Sequence, residues 1–329
     1  MDIAEQRFYK LNYRLLSFLG LWPYQKSRLR RVYVMNIISV LYQTHCIKTL
    51  MDNMIADWKM WKDKKEETEI MVKFAKLARI MYLYISSSFV TPIMDIIMPL
   101  NESRQMRLPI TSEYFIDQEK HFYLIYVHMF ITVSISITVI VAVDTILMVF
   151  SLHISGLFAI VGYRLEHYLK ESATLHEMSV HEREECFKHV TLSIKTHKRA
   201  IEFANRIESL FSYPLLVQCG FNVVCLSISL YQIVMLFGKW AEGYKFVSFV
   251  CGQLFHLFCA SYAGQLLIDY SSDVYLKAYS GVWYEIPIKV RKLLILVMRR
   301  SLEPCRLSAG KLFIFCLESF ATVIKNKIS

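Results

Sequence analysis

The chain has 329 residues, of which 55% are hydrophobic, 14% aromatic and only 20% charged, with a mean hydropathy of +0.34. That is too apolar and too lightly charged for an ordinary soluble domain. The formal net charge of +10 is confined to segments between apolar runs, which is the positive-inside pattern of a membrane chain and not the footprint of a nucleic-acid binder. The 8 cysteines lie mostly in or beside apolar runs with no C-x-x-C pair, so neither a disulfide framework nor a zinc site is implied.

Residues 1–31 interleave Arg7, Lys10, Arg14, Lys26, Arg28, Arg30 and Arg31 with Phe8, Tyr9, Leu11, Leu15, Leu16, Phe18 and Leu19. No small-residue cleavage site follows a short apolar core, so the segment reads as a cytoplasmic, interfacial amphipathic helix and not as a signal peptide. Residues 32–329 read as one transmembrane helical domain, with spans at about 32–50, 74–100, 122–160, 210–237, 246–268 and 308–325.

The first apolar run, 32–47, contains Asn36, Gln43 and His45 and meets Lys48 after about 24 Å of helix, which is short for a crossing. A stretch dense in both signs of charge follows, in which Lys59, Lys62, Lys64 and Lys65 mark a cytoplasmic segment. The run 80–100 carries a single acid, Asp95, with Pro92 and Pro99 set to kink its far end. The segment after it is poor in basic residues and is expected outside; its Asn101-Glu102-Ser103 triplet is a possible glycosylation acceptor at Asn101.

The dominant stretch is 122–163, which has no Lys, Arg or Glu. As a helix it reaches about twice the thickness of the hydrocarbon core and continues into the cell. Asp144 lies inside it, with the imidazoles of His128 and His153. A carboxylate at that depth faces protein or water, so Asp144 is expected to make an interhelical contact or to line a conduction path.

Residues 164–206 are again basic and therefore cytoplasmic. Ser179 and Glu182 fit a capping box, after which Phe187, Val190, Ile194, His197, Ile201, Ala204, Glu208 and Phe211 recur at helical spacing. His181, Glu185 and His189 share a face at ligand spacing, but no fourth ligand accompanies them and no metal is expected. The runs 210–237 and 246–268 follow, the first with Pro214, the second punctuated by Gln253, His256 and Gln265, for which interhelical hydrogen bonds are the default role and ligand contact the sharper one. In the basic segment 269–307 the stripe Ile286, Val290, Leu293 and Val297 needs a partner surface, either the extended central helix or another subunit. The last apolar run, 312–324, is interrupted by Glu318.

No phosphate loop, nucleophile elbow or H-E-x-x-H motif occurs, so no enzyme and no cofactor are expected. The basic N-terminal segment argues against a G-protein-coupled receptor, whose N-terminus lies outside. No repeat links the two halves, as a secondary transporter would show.

The C-terminal third carries Tyr279-Ser280-Gly281-Val282-Trp283-Tyr284, Lys292-Leu293-Leu294, Met298-Arg299-Arg300-Ser301 with Pro304, Ala309-Gly310 and Leu317-Glu318-Ser319-Phe320-Ala321-Thr322-Val323-Ile324-Lys325. This string resembles the end of an insect odorant receptor. Trp22-Pro23, Asp57-Trp58, Asp144-Thr145-Ile146-Leu147, His153, Gly156-Leu157-Phe158 and residues 197–211 resemble the same family, so the likeness covers nearly the whole chain. A gustatory-type chemoreceptor is the near alternative, but the Thr-Tyr and Gln-Phe signature of its last span is missing; a non-receptor transport or structural membrane protein is the alternative of a different class.

The resemblance implies an all-α, polytopic transmembrane bundle of the seven-span odorant receptor type. It also implies a ligand-gated cation channel in the plasma membrane with a cytoplasmic N-terminus, in which an odorant-binding subunit forms a heterotetramer with a shared co-receptor. A small volatile organic ligand would sit in the outer half of the spans, near Ser88, Phe89, Tyr126, Phe130 and Gln253 by position. The last helix would line the pore, which points to Glu318, Phe320, Thr322 and Val323. Charge parity adds one expectation: only the run 32–47 separates two cytoplasmic segments, as if one of the family's spans were missing or incomplete and the chain a truncated form.

Overall fold

A computed structural model describes residues 37–61, 64–88, 121–173, 180–236, 240–281, 283–284 and 286–328. In chain order these form α1 (Ile37–Trp61), α2 (Lys65–Ser88), α3 (Phe122–Ala173), α4 (Val180–Met235), α5 (Trp240–Ser280), α6 (Ile288–Ser301), a hairpin of β1 (Ser308–Ala309) and β2 (Phe313–Ile314), and α7 (Leu317–Ile328). The architecture is an all-α polytopic membrane bundle. Among the described residues, helices within Phe122–Tyr168, Glu184–Met235 and Phe246–Ser280 are long and apolar enough to cross a membrane.

The 52-residue α3 is the axis. Between residues 144 and 162 its side chains are buried on every face, which is what a helix apolar all round requires. Its hydroxyls turn back on their own helix: Thr132 donates to the His128 carbonyl at 2.8 Å and Ser151 to that of Leu147 at 2.9 Å, satisfying groups that have no water to meet. α2, α4 and α5 pack around α3. α4 runs through Pro214 without a break, and beyond it Phe221, Ile228, Tyr231 and Val234 point outward, 56–70% exposed, the surface a lipid-facing helix presents.

Two elements differ from the sequence expectation. The first is the stripe on α6. Val290, Leu294, Val297, Met298 and Ser301 are buried, while Leu293 is only half-buried, because at 3.6 residues per turn Leu294 lies about 40° from the direction of Val290 and Leu293 about 60° on the other side. The partner of that stripe is chiefly α4 and α5 of the same chain, with Ser301 Oγ 3.2 Å from His197 Nε2.

The second is the beginning of the last span. Residues 308–314, with which the expected span opens, form the hairpin, in the register Ser308 to Ile314 and Ala309 to Phe313. Gly310 and Lys311 both have positive φ, 59° and 62°, and the Leu312 N–H closes the turn on the Ala309 carbonyl at 3.0 Å. Such a turn matches the twist of a hairpin and cannot continue a right-handed helix, so α7 begins only at Leu317. The hairpin is tied down on α4: the Ser308 N–H donates to Glu208 Oε2 at 2.8 Å, the Ser308 hydroxyl donates to the same carboxylate, and the Gly310 N–H meets the Ser212 carbonyl and hydroxyl, each at 3.0 Å.

Candidate functional site

Asp144, the acid of the central run, is 7% exposed and stands where α3, α4 and α5 meet. Gln218 of α4 donates its Nε2 to Asp144 Oδ1 at 2.9 Å, and His256 Nε2 of α5 lies 2.6 Å from Oδ2. Each carboxylate oxygen thus has a partner on a different helix. A buried carboxylate without such partners would cost several kcal/mol, so the three groups fix the mutual rotation of the three helices. Of the two roles expected for Asp144, the described geometry is that of the interhelical contact. His256 makes the interhelical hydrogen bond that its place in an apolar run suggested. Gln218 and its i+4 neighbour Asn222 were missed; the available signal was two amides on one face of the uncharged stretch of α4.

A cavity of about 20 Å³, room for one water-sized group, opens beside this cluster. Asp144, Gln218, Asn222 and His256 give it a polar side, while Leu147, Leu215 and Ala260 belong to its apolar wall. Leu307 and Phe315 also line it; they stand at the open end of the hairpin, where the Phe315 N–H donates to the Leu307 carbonyl at 2.9 Å.

The residues expected near a ligand lie elsewhere. Tyr126 and Phe130 are half-buried on α3, Tyr126 stacked on Phe122 with centroids 6.1 Å apart, and along a helix they precede Asp144 by about 27 and 21 Å. Gln253 is on α5, with its Oε1 buried and without a hydrogen-bond partner. Ser88 closes α2, and its side chain, Phe89 and Asn101 lie outside the described residues.

On α7, Glu318 and Thr322 are exposed, and Phe320 and Val323 are half-buried. The Thr322 hydroxyl donates to the Glu318 carbonyl at 2.9 Å, and Phe320 packs edge-on against Phe258 of α5, 5.5 Å between centroids. The first turn of α7 is held from α5, where Gln265 Oε1 accepts the Leu317 N–H at 3.2 Å.

A second polar layer lies in the basic half of the bundle. Asp57 of α1 is fully buried, 3.0 Å from His153 Nε2 on α3 and 2.9 Å from Arg199 Nε on α4. About three helical turns on from His153, Arg164 donates its Nε and Nη2 to the Glu67 carboxylate of α2 at 2.7 and 2.6 Å and its Nη1 to Thr196 at 3.1 Å, a bidentate fork with directional strength. His197, in the basic half of α4 ahead of its uncharged stretch, packs on Phe158. Burial, and after it the charge of Arg300, pulls its pKa from 6.5 down to about 4. His128 is exposed, as are His181 and Glu185, and His189 stacks on Tyr168 with centroids 3.8 Å apart.

Comparison with known proteins bears on this arrangement. The family model described as 7tm Odorant receptor matches residues 29–328. Odorant receptor 10 of Aedes albopictus is 22% identical over 151 residues, 45% of this chain and 40% of that receptor. The odorant receptor coreceptor of Anopheles gambiae is 24% identical over 131 residues, 40% of this chain and 27% of the relative. The matches therefore span less than half the length of these curated relatives. Among solved structures, the olfactory receptor OR5 of Machilis hrabei superimposes with a TM-score of 0.69 at 14% identity, covering 98% of this chain and 97% of that one. The same receptor in complex with eugenol gives 0.63 at 13% identity, over 99% and 81%.

Proposed function

The chain belongs to the 7tm odorant receptor family, and from that premise we propose that it is the odorant-binding subunit of a ligand-gated cation channel that works with a co-receptor. The observation that carries the reading is the family match over nearly the whole chain, joined to a fold like that of a solved insect olfactory receptor. The ligand is a small, mainly apolar volatile molecule in the outer half of the spans, where Tyr126 and Phe130 supply ring surface and Gln253 Oε1 supplies an unpaired acceptor, with Ser88 and Phe89 as the other candidate contacts by sequence position. Such a pocket selects by shape and by single polar contacts.

The polypeptide crosses the plasma membrane several times, with its basic segments in the cytoplasm and the Asn101 segment, glycosylated, outside. α7 lines the pore, its exposed Glu318 and Thr322 facing the ion path while Phe320 and Val323 pack behind. The co-receptor completes a heterotetramer, and apolar helix faces such as that of Phe221 and Ile228 meet lipid or neighbouring subunits.

Co-expression with an insect odorant receptor co-receptor, followed by current recording against a panel of volatile esters, alcohols, aldehydes and phenols, tests this. The expected result is a cation current evoked by a subset of the panel and dependent on this chain. Correct surface delivery with no odorant-dependent current anywhere in the panel would overturn it.

A further inference from the structure

The cavity beside Asp144 and the start of α7 share one wall. Phe315 lines the cavity, and its backbone is clamped from two directions: by the Leu307 carbonyl across the hairpin, and by α5, where Gly264 has no side chain and a Cβ built there would lie 2.1 Å from the Phe315 oxygen. Two residues on, the Leu317 N–H is held by Gln265, also of α5, and Cys316 Sγ accepts the Ser319 N–H at 3.4 Å at the head of α7. The hairpin tip is fixed to α4 through Ser212 and Glu208. With the hairpin pinned at its tip and α7 held at its first residue, displacement of the Phe315 ring has one short backbone route, into Leu317.

We propose that Phe315 is a positioning residue that couples the packing of the Asp144, Gln218 and His256 cavity to the placement of α7. Anything that enlarges, fills or repacks that cavity shifts Phe315, and with it the first turn of the last helix. The consequence for conduction rests on the reading of α7 as pore helix; the coupling itself does not.

The test uses native cysteines of the full-length chain in membranes. Cys316 is half-buried at the head of α7, Cys251 is exposed on α5 away from the cavity, and Cys186 is buried in the basic half of α4. Ala260→Leu fills the cavity from the α5 side. Maleimide labelling, read peptide by peptide by mass spectrometry, should show the Cys316 rate changed by about fivefold or more, the scale of one overpacking strain, with Cys251 and Cys186 unchanged. In a Phe315→Ala background, where the added methyl groups have space, the same substitution should leave the Cys316 rate within about twofold, the signature of coupled sites in a double-mutant cycle. If Ala260→Leu exposes Cys186, the smaller Ala260→Val is read in its place by the same criteria.

An unchanged Cys316 rate in the original background, or a change that persists undiminished in Phe315→Ala, would overturn the proposal. The labelling outcome does not require a current, so the two readings separate. Labelling as expected with no odorant current would defeat the receptor reading alone, and robust currents without the labelling change would defeat the coupling alone.

Discussion

Substituting Gly264 by alanine tests the packing of the hairpin on α5. A methyl group at that position would meet the Phe315 carbonyl oxygen at 2.1 Å and its carbonyl carbon and Cβ at 3.0 Å, whereas an ordinary carbon–oxygen contact is about 3.3 Å or more. The nearest obstructing atoms are backbone, so the segment at Phe315 must retreat by about 1 Å, a displacement that overpacking data value at about 1–3 kcal/mol. The retreat also strains the Phe315 to Leu307 hydrogen bond of 2.9 Å and the Leu317 to Gln265 bond of 3.2 Å, each worth about 1 kcal/mol. Against this, alanine is the better helix former by about 1 kcal/mol, leaving a net destabilisation of about 2–4 kcal/mol if both bonds are lost. Gly220, on the outward part of α4, has nothing within 4 Å of a built Cβ, so Gly220→Ala keeps the propensity gain and has no clash. Thermal unfolding of the two purified full-length variants in the same detergent should place the Gly264→Ala midpoint below that of Gly220→Ala by several degrees, about 5 °C. Equal midpoints would refute the close approach of hairpin and helix.

Three further outcomes are expected. Arg164→Ala should cost about 3–5 kcal/mol by leaving Glu67 buried and unpaired, while Arg164→Met combined with Glu67→Leu should recover most of that loss, a contrast that thermal stability measurements of both variants will check. Leu294→Asp, at a side chain with 0% exposure, should reduce folded yield in size-exclusion profiles by far more than Leu293→Asp, since only the first buries an unpaired charge, at a cost of several kcal/mol. His197 has a folded pKa of about 4 against its ordinary 6.5, so folding favours its neutral form. The stability this confers, about 3 kcal/mol at most, is complete above pH 6.5 and is lost as the pH falls towards 4; His197→Phe should flatten that part of an acid-denaturation curve without raising stability at pH 8 by the same amount.

Membrane class and helical character are written into local composition. A run such as 122–163, without Lys, Arg or Glu, specifies a membrane helix whatever surrounds it, because hydropathy is a sum over neighbours in sequence, and a lone Asp144 within it announces a polar contact. The C-terminal string Tyr279 to Lys325 carried the family likeness for the same reason, being legible residue by residue. The choice of partner is different in kind. Gln218 and His256 reach Asp144 across 74 and 112 positions of chain, and His153 meets Asp57 across 96; no spacing rule selects those pairs from the other polar residues in the apolar runs. The buried face of α6 turned on one residue, Leu294 over Leu293, a difference of about 100° that sequence pattern could not settle among three adjacent apolar side chains. The hairpin at 308–314 breaks an apolar run that composition would extend as helix, because Glu208, Ser212 and Gly264 on two distant helices offer its backbone the hydrogen bonds and the space that a continuous span would not use.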